Sequence, residues 1–229
     1  MASFYISWLA WGLSFVLILL GLALARAFYQ VQKRRKYYFS GRRAWVLEAA
    51  AIEVSEGHTT PAFSALALAA LGDVRGVSRS LLARSNDFDE ENEELFLCSR
   101  ILGEAFEGEV EKSYSTCGEL MCLSLNAAPD RLERRRVRRQ GVIAIAKSVA
   151  GEGETADLEV LAQTPTLEPV LYWACRYGVA LALYNNGSLA QAQLLVQGAP
   201  HWPSESIFQR LQCEIFEGTV DLKNVARAA

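Results

Sequence analysis

The chain has 229 residues, 51% of them hydrophobic, with Lys+Arg 23 against Asp+Glu 26 and a net charge of −3. Two histidines and five cysteines leave almost no material for Cys/His metal clusters or His-based catalytic triads. The composition is that of a chain with one sizeable core, and the charge is unevenly placed along it.

The first element is an uncharged apolar run from Phe4 to Ala25, closed by Arg26 and then by Lys33-Arg34-Arg35-Lys36. About 20 apolar residues at helical rise cross a hydrocarbon core about 30 Å thick, so the run reads as a membrane-spanning helix. Tyr5, Trp8 and Trp11 lie near one end and Phe28 and Tyr29 at the other, where amphipathic rings favour the two interfaces. No Lys or Arg precedes the run, whereas seven lie between Arg26 and Arg43. The positive-inside bias then leaves the N-terminus outside and the rest of the chain in the cytoplasm. A cleaved signal peptide is the rival, because Ala23-Leu24-Ala25 fits a small-x-small cleavage site. The missing basic n-region, the length of the run and the cations after the site weigh against it. Trp8, Trp11, Lys33, Arg34, Arg35 and Lys36 are the candidate membrane-interface residues. Residues 1–30 are read as the anchor, 31–43 as a basic juxtamembrane segment and 44–229 as one helical domain.

Beyond Arg43 the remaining residues hold 16 Lys+Arg against all 26 Asp+Glu, a net charge of −10. An anionic bilayer repels such a domain, while the juxtamembrane cations can pair with lipid headgroups at about 1 kcal/mol each. Cys98, Cys117, Cys122, Cys175 and Cys213 follow no disulfide or zinc spacing and read mainly as core thiols in a reducing compartment.

Within this domain apolar residues recur at three and four, the helical period, and alternation is scarce. A Gly followed by polar and aliphatic residues recurs at Gly72-Asp73-Val74, Gly108-Glu109-Val110, Gly187-Ser188-Leu189 and Gly218-Thr219-Val220. A looser copy, Gly151-Glu152-Gly153-Glu154, is placed on Gly153, which gives intervals of 36, 45, 34 and 31 residues. Each Gly is expected to end one helix in the left-handed conformation while the next polar residue opens another. The expected fold is therefore all-α, an α-solenoid of about five helical hairpins following the transmembrane helix. An irregular helical bundle is the alternative.

The segment from Pro169 to Pro200 shows the pattern best. Val170, Trp173, Ala174, Tyr177, Ala180, Leu181 and Tyr184 keep helical spacing, Asn185-Asn186-Gly187 turns the chain, and Leu189, Ala192, Leu195 and Val196 continue on one face. With small Ala180 and Ala192 at the positions of close helix approach, this segment resembles a tetratricopeptide repeat. The other copies fit more loosely: small Ala65 is kept but Val77 replaces the expected Ala, and Ile101 and Ser113 occupy the same two positions around Gly108. The resemblance implies that Tyr177 and Tyr184 face a concave groove and serve partner binding. A core stripe is the alternative.

Arg131-Leu132-Glu133-Arg134-Arg135-Arg136-Val137-Arg138-Arg139 places Arg131, Arg134, Arg135, Arg138 and Arg139 on one helix face. Such a face can bind anionic lipid or an acidic peptide, with Arg134 and Arg138 as candidate partner-binding residues. Nucleic acid is disfavoured, since no stacking aromatics interleave. Two quieter readings are a solvated face neutralised by the chain's own acids and an internal charge match with the acidic stretch from Asp87 to Glu94.

No phosphate-loop, zinc-protease, nucleophile-elbow or kinase motif occurs, so no enzymatic activity, cofactor or metal is expected. The layout resembles membrane-anchored tetratricopeptide adaptors of the bacterial inner membrane, without the C-x-x-C metal module of one such type. This resemblance implies a single-pass protein that presents a cytoplasmic protein-binding scaffold to other proteins. A structural subunit of a secretion or motility complex and an organelle outer-membrane receptor are the alternatives.

Overall fold

The computed structural model describes residues 2–40, 42–73, 75–77, 90–124, 128–152, 155–164 and 167–197, with 209, 212 and 213. Every regular element among them is helical. The chain divides into Met1–Lys36 and Tyr37–Ala229.

The first unit is the greater part of α1 (Ala2–Tyr38). Helix α1 contains a stretch, Leu13–Tyr38, long and apolar enough to cross a membrane, and no residue of its apolar window is buried. Trp11 is 76% exposed. The side chain of Trp8 lies outside the described ones. Arg35 and Lys36 are exposed in the last turn of α1, and Lys33 and Arg34 are half-buried.

The second unit holds α2 (Arg43–Ser55), α3 (Ala62–Ala70), α4 (Glu90–Phe106), α5 (Val110–Cys122), α6 (Pro129–Val149) and α7 (Thr155–Gln163). A 3-10 turn (Pro169–Leu171), α8 (Tyr172–Asn185) and α9 (Leu189–Val196) follow. Pro129 and Pro169 each sit at the start of their element, where a missing N–H costs nothing.

The glycine turns form as the spacing predicts at Gly72, Gly108 and Gly187, with φ of 71°, 82° and 80°. At Gly187 the backbone N–H donates to the Tyr184 carbonyl (2.9 Å) and the Ser188 N–H to that of Leu183 (2.8 Å), a doubly bonded helix end. The same pair of bonds closes α3 at Gly72 and α4 at Gly108. The looser copy is corrected. Its positive-φ cap is Gly151, at 82°, whereas Gly153, like Gly218, lies outside the described residues. A further cap of the same kind ends α2 at Gly57.

Counted from these caps, equivalent positions meet the core. Ala65 and Val77, Ile101 and Ser113, and Ala180 and Ala192 are all buried. In the second pair the Ser113 hydroxyl donates to the Ile101 carbonyl (3.2 Å), joining α4 to α5 directly. Helix α8 packs on α9 in the same hairpin sense, and α7 lies against both α6 and α8. The first helices also touch in succession, α3 on α4, α4 on α6 and α6 on α8. The 3-10 turn before α8 reaches back to α3. An open stack in which each repeat meets only its neighbours would lack that last contact.

Leu66, Leu71, Leu95, Ile101, Leu102, Leu120, Ile145, Leu158 and Phe63 are the large buried residues of one continuous core. Trp173 belongs to it, and its Nε1–H donates to the Tyr38 carbonyl (3.1 Å). Cys98 and Cys175 are buried, Cys117 is intermediate, and Cys122 and Cys213 are exposed, all as free thiols.

Candidate functional site, a buried arginine–carboxylate cluster

Helix α6 begins with the arginine run, and its period does bring Arg134, Arg135, Arg138 and Arg139 to one side. That side faces inward. Arg135, Arg138 and Arg139 are 5%, 2% and 4% exposed, and two buried carboxylates meet them, Glu94 from α4 and Glu168 from the residue before the 3-10 turn.

Glu94 is shared by three guanidiniums. Its Oε2 accepts from Arg135 Nε (2.9 Å), Arg139 Nε (2.9 Å) and Arg139 Nη2 (2.7 Å), and its Oε1 accepts from Arg138 Nη1 (3.0 Å). Glu168 takes Arg138 Nη2 on Oε1 (2.6 Å) and Arg134 Nη2 on Oε2 (2.8 Å). Arg138 thus bridges the two acids, and Glu91 adds a third carboxylate 3.7 Å from its Nη2. Arg139 turns its other donors to the carbonyls of Leu120 (3.2 Å), Leu123 (2.9 Å) and Ser124 (3.3 Å) at the end of α5. A cation suits that place, because a helix C-terminus carries unpaired carbonyls and the negative end of the dipole. Arg176 of α8 does the same for α9, donating to the Leu195 carbonyl from Nε (3.2 Å) and Nη2 (3.1 Å).

Burial on its own would raise the Glu168 carboxyl, but the Arg138 and Arg134 guanidiniums outweigh it and hold the group below its ordinary value. Burial works against the Arg138 and Arg134 charges too, and Glu168 more than restores them. Cys98, beside the cluster, is pushed up to about 12, chiefly by burial. Its thiol therefore stays protonated near neutrality. The cluster ties α4, α5, α6 and the approach to α8 together.

This geometry corrects two expectations. Arg138 is not a partner-binding surface residue, since it is buried and bound to Glu94 and Glu168. Arg134 keeps a side chain that is 47% exposed, but it is committed to Glu168. The internal charge match is the form the run takes, with Glu94 and Glu91 from the acidic stretch; Asp87 to Asp89 lie outside the described residues. Tyr177, at 2% exposure, offers no groove surface and is a core residue. Tyr184 is half-buried and packs against the core.

Glu168 is the participant that sequence reasoning missed. It stands alone between Leu167 and Pro169, thirty residues after Arg138, with no pattern around it to mark it as buried.

Other polar ties hold the same hairpins. Thr116 donates to Glu104 (2.7 Å) across α4 and α5, and Ser148 of α6 donates to the Gly178 carbonyl of α8 (2.9 Å). Among the described residues no three His, Cys, Asp or Glu side chains converge to hold a metal ion. No protein-family model, curated protein or solved structure matches this chain.

Proposed function

We propose that this chain is a single-pass membrane protein whose helical domain is a scaffold for other proteins on the cytoplasmic side. The observation that carries the reading is the pairing of two features. An apolar helix with no buried residue in its window runs straight into a basic collar, and a domain of packed helical hairpins follows. An uncovered apolar surface of that size needs lipid around it. Seven cations after the run and none before it favour the N-terminus outside.

The buried i, i+12 pairs at Ala65/Val77, Ile101/Ser113 and Ala180/Ala192 support a hairpin repeat of the tetratricopeptide kind, and a solenoid that curls back on itself accommodates the contact between the 3-10 turn and α3. Repeats of this kind present side chains from several helices to one partner. Arg outnumbers Lys 18 to 5, which leans toward a GC-rich bacterial genome, and a bacterial inner membrane is the setting we propose.

Two readouts test the proposal. A reporter fused after Ala229 is expected to be active only in the cytoplasm, and activity of a periplasm-only reporter there would overturn the orientation. Crosslinking in native membranes is expected to join specific proteins to the full chain and not to the segment 1–36 alone. Identical crosslinks from both would overturn the scaffold role.

A further inference from the structure

The junction between α1 and α2 gathers aromatic and cationic side chains from stretches far apart in sequence. Tyr37, the residue after Lys36, stacks on Trp45 with ring centroids 5.1 Å apart, and the Arg42 guanidinium lies 4.5 Å over the same indole. Phe39, 39% exposed, meets Tyr172 edge-on at 4.6 Å. Tyr172 meets Trp173 at 5.4 Å, and Arg176 stands 5.5 Å from the Tyr172 ring. The turn that builds the patch is short and bonded. Ser40 donates to the Tyr37 carbonyl from its hydroxyl (2.7 Å) and its N–H (3.2 Å), and Arg42 N–H donates to the Ser40 hydroxyl (3.1 Å). The Trp173 bond to the Tyr38 carbonyl fixes the start of α8 at the same place.

We propose that Phe39, Arg42, Trp45 and Tyr172 form a bilayer-contact surface that rests on anionic phospholipid headgroups of the membrane α1 crosses. The inference depends on the anchoring reading above. Three observations favour lipid over another occupant. The patch follows the basic collar directly in sequence, Tyr37 being the residue after Lys36, so the covalent chain keeps it within a few residues' reach of the headgroups that Lys36 would meet. It combines rings that are apolar in body and polar at the edge with guanidiniums, the chemistry that favours the interface. The domain beyond Arg43 carries a net charge of −10, so a cationic, aromatic patch is the face an anionic bilayer attracts while it repels the rest.

The test uses tryptophan emission from the full-length chain in vesicles. With Trp8→Phe, Trp11→Phe and Trp202→Phe in place, Trp45 and the buried Trp173 remain as emitters. Phosphatidylglycerol brominated in its acyl chains close to the headgroup is expected to quench the Trp45 emission. Adding Trp45→Phe should remove that quenching, and Arg42→Glu should weaken it. A second chain with Trp8→Phe, Trp45→Phe and Trp202→Phe keeps Trp11, beside the buried Trp173, as a reporter of the anchor. If Trp11 is quenched and Trp45 is not, the anchor stands and the contact surface is refuted. If neither is quenched, both readings fall. If Trp45 is shielded from bromolipid and from aqueous iodide alike, protein covers the patch and the proposal is overturned.

Discussion

Replacing Glu94 by Gln removes the one charge that three buried guanidiniums share. Glu94 is 0% exposed, and its two oxygens accept four bonds from Arg135, Arg138 and Arg139 at 2.7–3.0 Å. The amide keeps the size but sets an NH2 donor against guanidinium donors, and among the described residues Glu168 and the more distant Glu91 are the carboxylates left beside Arg134 and Arg138. Breaking a buried pair by removing one partner costs about 3–5 kcal/mol. In a domain of this size each kcal/mol moves Tm by about 2–4 °C, so the melting point is expected to fall by roughly 6–20 °C. Arg138→Met is the informative contrast. It leaves Glu94 with Arg135 and Arg139, leaves Glu168 with Arg134, and lowers the excess of positive charge. Its cost is therefore expected to be less than half that of Glu94→Gln. Far-ultraviolet circular dichroism of the full chain in detergent measures both, because the transition reports the hairpins while the micelle holds α1. A Glu94→Gln loss under about 1 kcal/mol, the value of an exposed pair, would refute the reasoning, and so would equal losses from the two variants.

Three further outcomes follow from the same structure. Glu168 is held below its ordinary value of 4.5, so its contribution is complete above that pH and is lost as pH falls through the folded-state value. The wild-type chain should lose stability on acidification below about pH 4.5, and Glu168→Gln, already weaker at neutral pH, should lose less over the same window. Equal acid sensitivity in melts at successive pH values would contradict this. Ala192 is fully buried between α8 and α9, so Ala192→Leu should cost roughly 1–3 kcal/mol by overpacking, and an unchanged melting curve would remove it from the contact. Cys98 and Cys175 are both buried and pushed up to about 12, so a maleimide at neutral pH should label Cys122 and Cys213 first. Mass spectrometry finding Cys98 labelled as fast as Cys122 in the folded chain would overturn that assignment.

Local signals carried the helices well. The glycine caps at Gly72, Gly108 and Gly187 were legible because a left-handed helix end favours Gly and leaves its mark within a few residues. The cap at Gly151 was misplaced onto Gly153, since two glycines one residue apart offer the same local chemistry. Counting from Gly151 puts Ala144 and Ala156 at the positions that Ala180 and Ala192 occupy, a regularity hidden by the two-residue error.

The arginine side of α6 was equally legible as a face, because helical period depends only on spacing. Its environment was not. Whether a charged face meets water or a carboxylate depends on what the fold brings opposite, and half of the answer is Glu168, far along the chain in a segment without pattern. Tyr177 fails for the same reason: a stripe at helical spacing marks a side, and only the neighbouring helices decide whether that side is groove or core.

The most direct test of the account is extraction of membranes with alkaline carbonate, comparing the full chain with one that begins at Tyr37. The account predicts that the full chain stays in the membrane pellet and that the shortened chain is released. Release of the full chain under the same conditions would contradict the membrane anchor, and with it the placement of the helical domain at a membrane surface.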